Sequence, residues 1–218
     1  MNQEQIVDKT MRFVESKLKG EGSGHDWWHV YRVYNNAMHI AKEEENVNLW
    51  VVQLAALLHD IADWKFNDGD HLIGAHVAKE WLKSLDVDDH IVRQVEEILH
   101  DISFKGAGEK SPMKTKEGEI VQDADRLDAM GAIGIGRTFA YGGHVKREMY
   151  NPHIKPNAHE TFEQYKKSKG PTINHFYEKL LLLKDLMNTE AGKKRAEKRH
   201  QFMETFLENF YEEWSGIR

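Results

Sequence analysis

Apolar residues recur along this chain mostly every three or four positions, the spacing of one helix face. Val7, Met11, Val14 and Leu18 form one such series. Val30, Val33, Tyr34, Ala37, Met38 and Ala41 form a second. Leu49 to Ile61 is apolar on nearly every side, which predicts a buried central helix. Ile73 to Leu85 and Ile91 to Ile102 are amphipathic, with Asp88-Asp89 placed to start the latter. No stretch alternates with period two between turn signals, so no strand is expected. Phe176, Leu180 and Leu183, then Phe202, Phe206 and Phe210, return to helical intervals.

The expected fold class is all-α, with residues 1–218 forming a single domain. All four prolines fall between Pro112 and Pro171. They separate a helical block carrying the motifs, residues 20–142, from a helical C-terminal part, residues 159–218. Between them lies an irregular segment, 142–158, starting at Gly142-Gly143-His144. Such a segment serves as a lid, an oligomer arm or a surface excursion.

Composition narrows the function classes. The chain is 40% hydrophobic and 30% charged, as expected of a soluble globular protein. No apolar run is long enough for a membrane span, so no membrane partner is expected. Met1-Asn2-Gln3-Glu4-Gln5 does not begin a secretory signal. Cysteine is absent, which excludes disulfides and thiolate metal sites and fits a cytoplasmic location. A net charge of -6 argues against a nucleic-acid partner. Thirteen histidines motivate a search for ligand spacing.

Three stretches carry candidate ligands. The first is Gly24-His25-Asp26-Trp27-Trp28-His29-Val30-Tyr31-Arg32-Val33, where His29 stands one position off the apolar stripe. The second is His59-Asp60, which closes Leu54-Ala55-Ala56-Leu57-Leu58. A carboxylate at the end of an apolar run is costly to bury unless paired, and a divalent cation would pair it. The third is Gln122-Asp123-Ala124-Asp125-Arg126-Leu127-Asp128-Ala129. Asp125 there sits within an expected helical run rich in small residues, Ala129, Gly131, Ala132, Gly134 and Gly136, that would let helices approach closely.

In this order, His … His-Asp … Asp, the chain resembles the HD-domain superfamily of metal-dependent phosphohydrolases. The resemblance covers roughly residues 20–142. It implies an HD-domain helical bundle with a C-terminal helical extension. It assigns the metal ligands to His29, His59, Asp60 and Asp125, ahead of Asp123 and Asp128. The mixed nitrogen and oxygen set suits Mn, Fe, Ni, Co or Zn, and Mg less well. Relatives carry an acid three residues after the doublet that assists proton transfer, here Asp63. Some nucleotidases carry another eight residues after it, here Asp68, which also suits a turn in Phe66-Asn67-Asp68-Gly69-Asp70.

Phosphate requires cations, and Arg32, Lys65, Lys105 and Arg126 lie beside the motifs. Trp27, Trp28, Trp64 and Phe104 are core residues or platforms for a nucleobase. His25 and His29 are four apart and offer a two-His pair; otherwise His25 caps the helix or lines the entrance. His100, in the second doublet His100-Asp101, is expected to contact substrate or support the site. It is also a candidate ligand for a second ion.

Gly-His-Asp-Trp-x-His-x-x-Arg-Val and Leu-Leu-His-Asp-Ile-Ala-Asp are similar to a small bacterial subgroup, as is Asp-Ala-Asp-Arg-Leu-Asp-Ala. It includes nucleoside-triphosphate pyrophosphohydrolases. The resemblance therefore implies cleavage of a (deoxy)nucleoside triphosphate to monophosphate and pyrophosphate. Alternatives are another phosphomonoesterase, a cyclic or alarmone nucleotide hydrolase, or a di-iron oxygenase of the same fold. The partner is a nucleotide or phosphoester, and a homodimer is compatible with the sequence.

Overall fold

Helix α1, Gln3–Lys17, starts with a reciprocal cap. The Asn2 side chain accepts from Gln5 N at 2.9 Å, and the Gln5 side chain accepts from Asn2 N at 3.1 Å. The computed structural model describes residues 1–20, 24–61, 73–102, 113–157 and 170–217. These are helical with connecting turns, and no strand occurs among the described residues. No helix among them is long and apolar enough to cross a membrane.

The described residues fall into two units, one of 1–102 with 113–125 and one of 126–217. The block 20–142 expected from the motifs thus includes residues grouped with each unit.

In the first unit, α3, Leu49–Leu58, is the centre. It packs against α1, α2 (Trp27–Ala41) and α5 (Asp89–Asp101). Every residue from Val51 to Leu58 except Gln53 is buried. Gln53 donates to the Tyr34 hydroxyl at 3.1 Å, so the one polar group of this stretch is satisfied. Helix α3 is shorter than its apolar run predicts. It ends at Leu58, and His59-Asp60 occupies the turn that follows, with Ile61 N donating to Leu58 O at 3.2 Å.

Helix α4, Ile73–Ser84, pairs with α5. Trp81 of α4 stacks on Phe13 of α1 at 3.9 Å and donates its indole N–H to Thr10 at 3.0 Å. The Asp88 side chain caps α5 by accepting from His90 N at 2.7 Å, as the Asp88-Asp89 pair predicts.

Helix α6, Lys116–Asp128, carries the third motif and ends before the glycine-rich run. That run forms a separate helix, α7, Gly131–His144. Gly131 has φ 68°, and a Cβ there would lie 3.1 Å from Arg199 Cβ and Cγ. The small residues therefore build a break and a close helix approach, rather than continuing the helix that bears Asp125.

In the second unit, α7 packs on the long helix α9, Glu190–Trp214. Gly142 does not start the irregular segment, because α7 runs on to His144. A Cβ at Gly142 would meet Thr172 Oγ1 at 2.3 Å, so this glycine permits packing. The spacing of Phe176, Leu180 and Leu183 is split between a short helix, α8 (Asn174–Glu178), and a 3-10 helix, Leu180–Leu186. Period three in the latter still buries Leu180 and Leu183 on one side. Phe139, Phe176, Phe206 and Phe210 form an aromatic core with centroids 5.7–6.4 Å apart.

Candidate metal centre

Asp26 starts α2 and accepts from His29 N at 2.9 Å. This cap sets the first turn, and the turn directs His29 inward among Val30, Val33 and Ala37. His29 is 1% exposed, a polar side chain on an apolar stripe rather than beside it.

His59 stands at the end of α3 with Nδ1 2.8 Å from the Ala56 carbonyl oxygen. A carbonyl only accepts, so Nδ1 carries the proton. In the neutral ring the Nε2 lone pair is then free, and it points at His29 Nε2, 3.2 Å away. Asp60 Oδ2 lies 3.2 Å from His29 Nε2 and 3.7 Å from His59 Nε2. Asp125 Oδ1, from α6, lies 3.5 and 3.9 Å from the same two nitrogens. Asn36 of α2 donates to Ala124 O at 3.5 Å, tying the two helices beside the site.

Donors bound to one cation at about 2.1 Å stand roughly 3.0–3.5 Å apart for octahedral or tetrahedral angles. His29 stands 3.2–3.5 Å from the donors of His59, Asp60 and Asp125, within that range, and His59 stands 3.7 and 3.9 Å from Asp60 and Asp125, slightly beyond it. The donor set is therefore close to what a divalent ion requires, with two carboxylates to offset its charge. His25, His29 and Asp60 form one group whose donor atoms lie within 4.8 Å of one another; His29, His59 and Asp125 form another. Burial pushes the Asp60 carboxyl up. The imidazoles of His25 and His59, with hydrogen bonds from His25 and His29, outweigh this and hold it well below the usual carboxylate range.

The other acids of the third motif have different surroundings. Asp123 is fully buried, and Asp128 is buried and paired with Arg137 at 2.7 Å. Arg126 donates Nη1 to the Leu186 carbonyl. Arg32 is half-buried, one turn after His29 on α2. His100 is exposed, with Nδ1 3.1 Å from Asp101, whose other oxygen holds Lys114 at 2.8 Å. Trp27 and Trp28 line a cavity of about 530 Å³ together with Arg12 and Lys19. Asp63, Lys65, Asp68 and Lys105 lie outside the described residues, as do Trp64 and Phe104.

The residue whose place the sequence left open is His25. Its Nδ1 lies 2.6 Å from Asp60 Oδ2. The four-residue spacing to His29 pointed to it, although for another reason. Asp26 is the cap, so His25 precedes the helix and shares no helical face with His29.

Comparison with known proteins identifies the family. The HD domain model matches residues 27–130. The Bacillus subtilis protein YpgQ is 37% identical over 213 residues, covering 97% of this chain and 95% of YpgQ. The crystal structure of YpgQ in complex with ADP matches with a TM-score of 0.77 and 31% identity in the structural alignment, covering 98% of this chain and 97% of that one. An HD-superfamily hydrolase from Bacillus thuringiensis matches with a TM-score of 0.77 and 42% identity, covering 98% and 99%. A family model spanning residues 27–130, and relatives this similar along nearly their whole length, place the chain in the HD-domain family of metal-dependent hydrolases.

Proposed function

We propose that the chain hydrolyses a nucleotide at phosphorus, converting a (deoxy)nucleoside triphosphate to its monophosphate and pyrophosphate. The observation that carries this reading is that the His29 and His59 Nε2 atoms stand 3.2 Å apart, each 3.2–3.9 Å from the Asp60 and Asp125 carboxylates. The nucleotide is supported by YpgQ, which was crystallised with ADP.

His29, His59, Asp60 and Asp125 would hold a divalent ion, with Mn, Fe, Ni, Co or Zn better suited than Mg. Bound there, the ion supplies a Lewis acid for phosphate oxygen and a water of lowered pKa. The chain contributes the rest. The Ala56 carbonyl keeps the His59 lone pair directed inward. The Asp26 cap holds the backbone of His29. Asp60 and Asp125 bring two negative charges, so the charged centre is neutralised within the protein. In this reading Asp63 moves the proton, with Asp68 as a second acid. Arg32, Lys65, His100, Lys105 and Arg126 engage phosphate.

The test is metal-stripped protein reloaded with Mn, Co, Ni, Zn or Mg and given nucleoside triphosphates, deoxynucleotides and simple phosphoesters. Monophosphate and pyrophosphate in equal amounts support α–β cleavage. Orthophosphate released from monoesters, or no metal-dependent turnover on any of these substrates, overturns it.

A further inference from the structure

The geometry assigns His25 a part in the site: we propose that it is a positioning residue, donating its Nδ1 proton to Asp60 so that this carboxylate presents its oxygen to the cation. The inference rests on the functional reading above.

Distance decides between two roles for His25. Two donors bound to one cation at about 2.1 Å stand about 3 Å or more apart, because smaller angles force them into contact. The other pairs here obey this, with 3.2 Å the shortest. His25 Nδ1 and Asp60 Oδ2 are only 2.6 Å apart. That is a hydrogen-bond length, of the short charge-assisted kind, and too close for two ligands of one ion. The same Oδ2 faces His29 Nε2 at 3.2 Å. A carboxylate oxygen has two lone-pair directions, so one can accept from His25 while the other stays free for the cation.

Nothing in α3 itself performs this task. Asp60 follows the helix in a turn, where backbone hydrogen bonds do not orient its side chain. His25 reaches it from the opposite motif, just before the Asp26 cap. The ring also stands edge-on to His29, with centroids 5.5 Å apart and planes at 81°. One imidazole thereby links the first and second motifs of the site.

The test uses the full chain with His25→Ala and His25→Asn. The asparagine amide nitrogen occupies nearly the place of Nδ1, so this variant keeps the donor but is a poor metal ligand. Manganese affinity is measured by calorimetry, the visible spectrum is recorded with cobalt, and helicity is checked by circular dichroism. His25→Ala is expected to weaken manganese binding about 10–100-fold and to alter the cobalt spectrum. His25→Asn is expected to restore both towards wild type. Wild-type affinity in His25→Ala overturns the assignment. So does a His25→Asn variant as weak as His25→Ala, since His25 would then be acting as a ligand. Wild-type protein that binds no divalent ion overturns the functional reading itself, and the assignment with it.

Discussion

The His59 ring donates Nδ1–H to the carbonyl of Ala56, three residues back on α3, at 2.8 Å. The bond fixes which ring nitrogen has a lone pair, and that nitrogen faces His29. A helix end thus does chemical work: a carbonyl of the last turn of α3 selects the tautomer of the proposed ligand His59. His59→Ala removes a donor, and Asp60→Ala removes a charge. Each is expected to abolish metal retention after dialysis while leaving the helical circular dichroism intact. Metal content by elemental analysis is the check, and full retention in either variant contradicts the proposed ligand set.

Asp26 links the cap of α2 to the candidate metal centre through the His29 backbone, at 2.9 Å. Asp26→Ala is expected to cost about 1 kcal/mol of stability and to weaken metal binding. Asp26→Ser preserves the cap and is expected to behave nearly as wild type. Denaturant titration with and without metal separates the two effects. Equal loss in both variants would mean that the cap is not the reason.

The glycines of α7 make a graded series. Gly131→Ala must adopt φ 68° and crowd Arg199 at 3.1 Å, so a loss of about 1–2 kcal/mol is expected. Gly134→Ala places a methyl 2.2 Å from the Ala129 carbonyl oxygen, and a larger loss is expected. Gly136→Ala meets nothing within 4 Å inside a helix and is expected to stabilise by about 0.5–1 kcal/mol. Thermal melts rank the three, and a stabilising Gly134→Ala would contradict the packing described.

His175 gives a pH dependence. Burial, then Lys179 and Arg147, lower its pKa from 6.5 to about 3. The unfolded chain therefore binds this proton before the folded one does. The folded state pays no penalty above pH 6.5 and a growing one as pH falls from 6.5 towards 3. Wild-type stability is expected to decline through that window. His175→Gln is expected to flatten the decline between about pH 6 and 5, above the range where carboxylates titrate. Denaturant midpoints at half-unit pH intervals check this, and parallel curves for the two proteins would sink it.

Much of the helical layout was legible in the chain. Period 3.6 marked α1, α2, α4, α5 and α9, because a helix buries one face whatever it packs against. Boundaries were less legible where apolarity outran the helix. Leu49 to Ile61 is one apolar stretch, yet α3 stops at Leu58 and the doublet takes the turn. The glycine-rich run looked like a continuation of α6 and is a separate helix, since only packing against Arg199 reveals why Gly131 stands where it does. Gly142 likewise reads as a break and acts as a contact with Thr172.

The chemical types of the site and their order are properties of the sequence: two imidazoles and two carboxylates on three separated segments, with no thiolate to compete. Residue type decides whether a donor can exist, and that needs no fold. The resemblance put Asp125 ahead of Asp123 and Asp128, but that its carboxylate stands 3.5 Å from His29 while Asp128 pairs with Arg137, and that His25 meets Asp60, depended on the tertiary structure. Such choices depend on distances of a few tenths of an ångström between segments 35 or more residues apart, and only packing sets those distances.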